Sequence, residues 1–325
     1  MLNSKLAEGV EYLRFKNARI KHYLKQIRYK LAIVIRGKEA EHFGLNLVTY
    51  KLKVKDRTSE PRYKLVIVTM TLNAEDYIQE WLEFHLSQGV EHFYIYDQQS
   101  SDSTHEKLQQ YIKVGLVSLI IWPNAFGMGS QILLYAHAIS SYWHDCRWMS
   151  LTDIDEFLYP TGEETVADAL QKLDAYSGIY LHWKSFGPSG HVTKPAGYVI
   201  RNYTHMAKFP EVAKDSKRQN RIGTLKYDLT RIKAIVDPAK VILIKVHGCK
   251  VDGKLIDSPE SLNLNHYITL SKDEFQKKIR RTLVDHTWGN VEHSKNWAKK
   301  RQEQYDFLVS NFEVNTDILK FDKLN

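Results

Sequence analysis

From residue 63 onward, short apolar runs are separated by amphipathic stretches. Tyr63-Lys-Leu-Val-Ile-Val-Thr69 is a β-branched run without polar alternation, the pattern of a strand buried on both faces. Residues 75–88 place Ile78, Leu82 and Leu86 on one helical face, and Gly89 is a stop. The same unit recurs as strand Val90–Tyr96, helix 103–113 closed by Gly115, strand Val117–Trp122, helix 129–143 and strand Trp148–Thr152. Such alternation predicts an α/β fold, a mostly parallel sheet with helices on both faces. Residues 271–310 read as C-terminal helices, opened by the capping-box pattern Ser271-Lys-Asp-Glu274.

Ahead of this body the period is helical. Ile20, Leu24, Ile27, Leu31 and Val34 step by three and four, predicting a helix over 10–36 that stops at Gly37. Leu45–Val54 alternates like a strand, and the polar, proline-bearing stretch Asp56–Pro61 reads as a boundary. The predicted organisation is a basic helical extension over 1–60, a main domain over 61–270 and a C-terminal helical segment over 271–325.

Composition narrows the class. In 325 residues, 43% are hydrophobic and 12% aromatic, enough for a large core, which excludes a disordered chain. Two cysteines, Cys146 and Cys249, exclude a disulfide scaffold and suit a reducing compartment. No apolar run approaches the length of a spanning helix, and the first residues lack a signal-peptide core. Residues 1–60 hold 14 Lys and Arg against 6 acidic residues, and the remainder holds 32 of each. The whole surplus of +8 therefore lies in the extension, and the neutral body gives no nucleic-acid surface. A basic helix with an apolar stripe has to bury that stripe. Residues 10–36 are thus expected to contact the main domain, a second copy of the chain as a homo-oligomer, or a membrane surface peripherally. The expected location is the cytoplasm, with the inner face of the membrane as the attachment surface.

Parallel sheets bind ligands at the carboxyl ends of their strands. There the sequence places Thr71-Leu-Asn73, Asp97-Gln-Gln-Ser100-Ser-Asp102-Ser-Thr104 and Asp153-Ile-Asp155-Glu156-Phe157. No Gly-rich phosphate loop follows the first strand, which disfavours a dinucleotide fold or P-loop. Two carboxylates at a strand end, Asp153 and Asp155, can reach one small hard cation such as Mn²⁺ or Mg²⁺. Asp97 can accept hydrogen bonds from a base or ribose, whereas Ser100, Asp102 and Thr104 read as turn and cap residues. Lys277, Lys278, Arg280 and Arg281 form a basic run that reads as a solvated helix face.

Together these blocks resemble the nucleotide-sugar glycosyltransferases of GT-A fold, most closely glycosyltransferase family 92 and a related bacterial branch of family 2. Tyr77-Ile-Gln-Glu-Trp-Leu-Glu-Phe-His85, His182-Trp-Lys-Ser-Phe-Gly-Pro-Ser-Gly-His191, Lys233-Ala-Ile-Val-Asp-Pro238, Val246-His247 and Asn265-His-Tyr-Ile-Thr269 extend the resemblance over roughly 62–285. The sequence departs from it where Leu72-Asn73-Ala74 replaces Lys-Asn-Glu and where Gln98 replaces Asn. The resemblance implies metal-dependent, inverting transfer from a nucleoside diphosphate sugar, expected to be a UDP-sugar, to a glycan or lipid-linked acceptor. It implies Asp153 and Asp155 as catalytic metal ligands, with His247 as third ligand and His266 as second choice. Thr71, Asn73, Asp97, Gln131 and Lys233 are expected on the nucleotide-sugar side, and Trp183 and His191 on the acceptor side. The general base stays open among Glu211, Asp215 and Asp228. The alternative is a nucleotide-sugar-binding or scaffold protein of the same fold without turnover.

Overall fold

The computed structural model describes residues 50–122, 130–162, 164–210, 223–226, 228–245, 247–285 and 291–324. The helix expected over 10–36 and the base candidates Glu211 and Asp215 lie outside the described residues.

The sheet grows from β2 (Tyr63–Thr71), whose residues 65–69 are buried on both faces. β3 (His92–Asp97) pairs parallel on one side, with Val66 opposite His92, and β4 (Val117–Ile121) pairs parallel with β3. β5 (Cys146–Leu151) pairs parallel on the other side, with Leu65 opposite Trp148. Strand order thus reverses at β2, and the crevice outside the β2 and β5 carboxyl ends is where such sheets take ligands. Period-two alternation sorts these strands into two cores. Leu65, Ile67, Phe93, Ile95 and Trp148 face Trp81 and Phe84 of α1 (Ile78–Ser87) and Leu108 of α2 (Thr104–Lys113). Val66, Val68, Tyr94, Tyr96 and Met149 face the other way, onto Leu134, Tyr135 and Ala138 of α3 (Ser130–Tyr142).

The sheet continues beyond β5 through β9 (Ile232–Val236), β7 (Gly178–Ser185), β13 (Leu262–His266) and β6 (Glu156–Pro160), and β12 (Leu255–Asp257) flanks the first half of β7. Here the expectation of a mostly parallel sheet holds only in part. β9 runs antiparallel to both neighbours and β6 antiparallel to β13; β7 is parallel to β12 and β13. Only four residues, 152–155, separate β5 from β6, too few for the crossover that a parallel return needs. The α/β fold therefore stands, with a parallel first half and a mixed second half.

Outside the main sheet, β1 (Tyr50–Lys51) pairs antiparallel with β10 (Val241–Lys245), which pairs with β11 (Gly248–Val251). Arg57 donates to Asp237 at 2.9 Å and to the Cys146 carbonyl at 2.7 Å. Residues 50–57, assigned by sequence to the extension, are thereby fastened to the domain. After β13 come α6 (Lys272–Asp285) and α7 (Val291–Ser310), and β14 (Phe312–Val314) closes on β8 (His205–Ala207). Among the described residues, no helix is long and apolar enough to cross a membrane.

Candidate active site

At the end of β5 the chain turns within four residues. The Asp153 amide donates to the Glu156 carboxylate at 2.9 Å, and the Glu156 amide returns to the Asp153 carbonyl at 3.1 Å. This closed turn aims the two aspartates apart. Asp153 points toward α3 and β9: Gln131 donates to it at 2.7 Å, Tyr135 at 3.3 Å, and Lys233 Nζ stands at 2.6 Å. Asp155 points toward β13 and α6, with Lys278 Nζ at 2.7 Å and His266 Nε2 at 3.6 Å. Glu156 is fully buried between them, with Lys233 at 3.6 Å.

The electrostatics follow from that packing. Burial opposes the Lys233 charge, but Asp153 and Glu156 overcome it and hold its pKa well above the ordinary lysine value. Burial likewise opposes the Asp155 charge, but Lys278 and His266 outweigh it and hold this carboxyl well below the usual range. Glu156 moves the other way: burial, with Asp153 and Asp155 nearby, raises it well above the usual range despite Lys233. His266 is lowered by burial, against the opposing pull of Asp155. Oxygen or nitrogen atoms of Asp155, Glu156 and His266 all lie within 4.8 Å of one another.

The two candidate histidines both pack against the Trp183 ring. Its centroid lies 4.1 Å from that of His266, and His247 meets it edge-on at 5.4 Å. The geometry thus sets His266 against Asp155, whereas His247 accepts from Arg231 at 2.9 Å. The His247 pKa is pushed down to about 3, first by burial and then by Lys233 and Arg231. Arg231 also holds Asp228 at 2.6 Å, and Lys300 holds the same carboxylate at 2.7 Å.

The remaining sequence candidates lie nearby or apart. Thr71 is buried at the end of β2, and its hydroxyl has no partner among the described residues. Asp97 is fully buried; it accepts from the Ser100 amide at 2.8 Å and bonds His105 at 2.8 Å. Asn73 has φ +53° and accepts from the Ser101 amide at 2.8 Å. His191 is turned toward α5 (Val199–Asn202), 3.2 Å from the Asn202 carbonyl, with its ring against Tyr203. The structure therefore joins Asp153, Asp155, Gln131, Lys233, Trp183, His247 and His266 in one cluster. Sequence reasoning placed Glu156 at the strand end without giving it a role, and missed Tyr135. It also read Lys278 as part of a solvated face; no local signal ties that lysine to a carboxylate 123 residues away.

A switch-point sheet with carboxylates and cations gathered at its strand ends defines an α/β protein with a candidate ligand site at that edge. The family model described as Glycosyltransferase family 92 matches residues 65–310, and the chain belongs to that family. The match includes the C-terminal helices that the sequence reading set apart. A family 92 protein of Oryza sativa subsp. japonica is 26% identical over 240 residues, 71% of this chain and 38% of that protein. One of Ricinus communis is 26% identical over 283 residues, 81% of this chain and 47% of that protein. The chain thus spans less than half the length of these relatives. Among solved structures, S. aureus TarS aligns with TM-score 0.37 and 16% identity over 74% of this chain and 43% of that one. A Pyrobaculum calidifontis mannosyltransferase solved with GDP-Man and Mn²⁺ aligns with TM-score 0.35 and 13% identity, over 88% and 83%. At such scores neither the donor nor the metal of those proteins transfers to this chain.

Proposed function

We propose that the chain transfers a sugar, with inversion, from a nucleoside diphosphate sugar to a glycan or lipid-linked acceptor, assisted by a divalent cation. The observation that carries this reading is the convergence of Asp153, Asp155, Glu156 and His266 with Lys233 and Lys278 at one edge of the sheet.

The donor set fits a hard or borderline cation. Asp155 and Glu156 offer carboxylate oxygens and His266 an imidazole, a combination suited to Mn²⁺, with Mg²⁺ as the oxygen-preferring alternative. The lowered His266 pKa keeps the ring neutral, as a ligand must be, and its Nδ1 has no partner among the described residues. These three residues would hold the ion, and Asp153, paired with Lys233 and Gln131, would stand outside that donor set. When bound, the ion supplies Lewis-acid neutralisation of the departing diphosphate.

The protein's own groups supply the rest. Lys233 is a buried, fixed cation that keeps Asp153 and Glu156 in place. Trp183, expected on the acceptor side, is buried with its ring against His266 and His247 and so would shape the site by bracing these histidines. Asp97, at the end of β3, is assigned to the nucleotide with a UDP-sugar as the first donor to test. Asp228 is the base candidate among the described residues, but its two cationic partners compete for the proton-accepting oxygens.

The test is incubation with a panel of nucleotide sugars and Mn²⁺, reading release of free nucleoside diphosphate. Turnover by the wild-type chain and none by Asp155→Asn is the expected result. No release from any donor, or full activity of Asp155→Asn in excess chelator, refutes the reading.

A further inference from the structure

We propose that Arg301, on the C-terminal helix α7, is an oxyanion-recognition residue of the acceptor side, so that the acceptor carries a carboxylate or a phosphate. This rests on the reading given under Proposed function, because it takes the acceptor to approach the cluster around Asp228.

The charges of the site pair off at one end and not at the other. Lys233 stands against Asp153 and Glu156, and Lys278 against Asp155. Around Asp228, one buried carboxylate meets two cations, Arg231 at 2.6 Å and Lys300 at 2.7 Å. His247 accepts from Arg231 and, with its pKa lowered to about 3, stays neutral. Arg301 follows Lys300 on α7 and brings a third cation to this end.

Arg301 has no carboxylate of its own. It donates to Gln304 Oε1 at 3.1 Å and lies over the Trp297 ring at 5.0 Å, and among the described residues no acidic side chain closes an ion pair with it. A glutamine oxygen and an aromatic face orient a guanidinium without neutralising it. Burial lowers the Arg301 pKa and Arg231 lowers it further, while Asp155 and Asp228 pull the other way. The guanidinium therefore feels both the Asp228 cluster and the Asp155 turn. A half-buried cation beside two others is compensated only when an anion arrives, and its planar fork matches two oxygens of a carboxylate or phosphate.

Two observations assign that anion to the acceptor. Asp228 is the base candidate among the described residues, and the acceptor hydroxyl has to reach the base. The donor diphosphate has its own counter-charge, the cation assigned to Asp155, Glu156 and His266.

The experiment follows the full chain by calorimetry and thermal melts, with inorganic phosphate, glucuronate and glucose as probes, each with and without saturating UDP and Mn²⁺. Phosphate and glucuronate are expected to raise the wild-type melting temperature whether or not UDP is present, and glucose is not. Arg301→Met is expected to bind both oxyanions about tenfold more weakly, the scale of a lost charge-assisted hydrogen bond, and to bind UDP as wild type does. Without ligand it is expected to melt at or above the wild-type temperature, because an uncompensated cation has been removed. Arg301→Lys, which keeps the charge and loses the fork, is expected to fall between the two in oxyanion affinity. Equal oxyanion binding by wild type and Arg301→Met, or a lower melting temperature of that variant without ligand, overturns the proposal. Loss of UDP affinity together with oxyanion affinity puts Arg301 on the donor and overturns the acceptor assignment. A wild type that releases nucleotide from a donor yet binds no oxyanion overturns this proposal alone, and one that does neither overturns the transferase reading with it.

Discussion

Lys233→Met isolates what the buried cation does. Its ammonium stands 2.6 Å from Asp153 and 3.6 Å from Glu156. At an effective dielectric of about 20, these separations correspond to roughly 6 and 5 kcal/mol of gross attraction. Most of that is offset by the cost of burying the charges. The net loss on removing one partner of such a group is about 3–5 kcal/mol, since uncompensated carboxylates stay behind. For a domain of this size that is a fall in melting temperature of roughly 6–20 °C. The pH dependence is the sharper signature. The raised Lys233 pKa gives a contribution that is fully present below the ordinary lysine value of 10.5 and is lost only above it, so the wild-type chain gains no slope from this group between pH 5 and 8. Glu156 already titrates well above 4.5 because of burial, and removing Lys233 deletes the main influence that lowers it. The variant's stability is therefore highest near pH 5 and declines as the pH rises through the shifted Glu156 value. Calorimetric melts at several pH values check this, with Lys233→Met/Glu156→Gln expected to recover part of the loss and flatten the slope. A Lys233→Met protein with unchanged melting temperature, or with the same slope after Glu156→Gln, refutes the electrostatic account.

Two further predictions rest on other elements. Glu80 accepts from the Val199 and Ile200 amides at 2.8 and 3.1 Å, and burial, opposed by those amides, pushes its pKa up to about 7. A raised acid contributes stability below its ordinary 4.5 that is lost as pH rises through about 7, so Glu80→Gln removes a decline of about 3 kcal/mol between pH 5 and 8; parallel melting profiles of the two proteins would contradict this. A chain shortened to begin at Tyr50 keeps the β1–β10 pairing and the Arg57–Asp237 contact, whereas one beginning at Arg62 loses both. The shorter chain is expected to be less stable by about 1.5–3 kcal/mol in denaturant melts, the range for charge-assisted hydrogen bonds, and equal midpoints would return the boundary to Pro61.

Local pattern carried the first half of the fold. Helices expected over 75–88, 103–113 and 129–143 are found at 78–87, 104–113 and 130–142, because each signal lies within its own element. Beyond Leu151 the pattern still marks strands but not their direction. β9 is antiparallel through pairing with β7, about 50 residues earlier, and nothing local to Ile232–Val236 encodes that. The site shows the same divide. The place of Asp153 and Asp155 after a strand was legible, but not that the turn points them at different partners. Nothing local to either histidine shows that His266 lies beside Asp155 and His247 beside Arg231. Periodicity shows which residues share a face of α6; it does not show that the face carrying Lys278 meets Asp155.

The departure at Leu72-Asn73-Ala74 is where sequence and structure inform each other most. Asn73 takes a left-handed backbone, which asparagine tolerates better than most residues, and this turns the chain sharply after β2. Its amide then reaches Ser100 Oγ at 2.8 Å, and its side chain takes the Ser101 amide. The Ala74 amide donates to Thr104 Oγ1 at 2.8 Å and the Glu75 amide to Asp102 at 3.0 Å. Glu75, one place later than the resemblance expects, accepts from the Ser103 amide at the start of α2 at 2.9 Å. A carboxylate there faces the positive end of the helix and satisfies one of its open amides. The displaced acid is thus committed to joining the loops after β2 and β3. Ser100, which receives Asn73, is also the residue that holds Asp97. Changes at Asn73 should therefore reach the carboxyl end of β3 through Ser100 and Asp97, whereas the Asp153–Glu156 turn at the end of β5 has its own closing hydrogen bonds and is built separately.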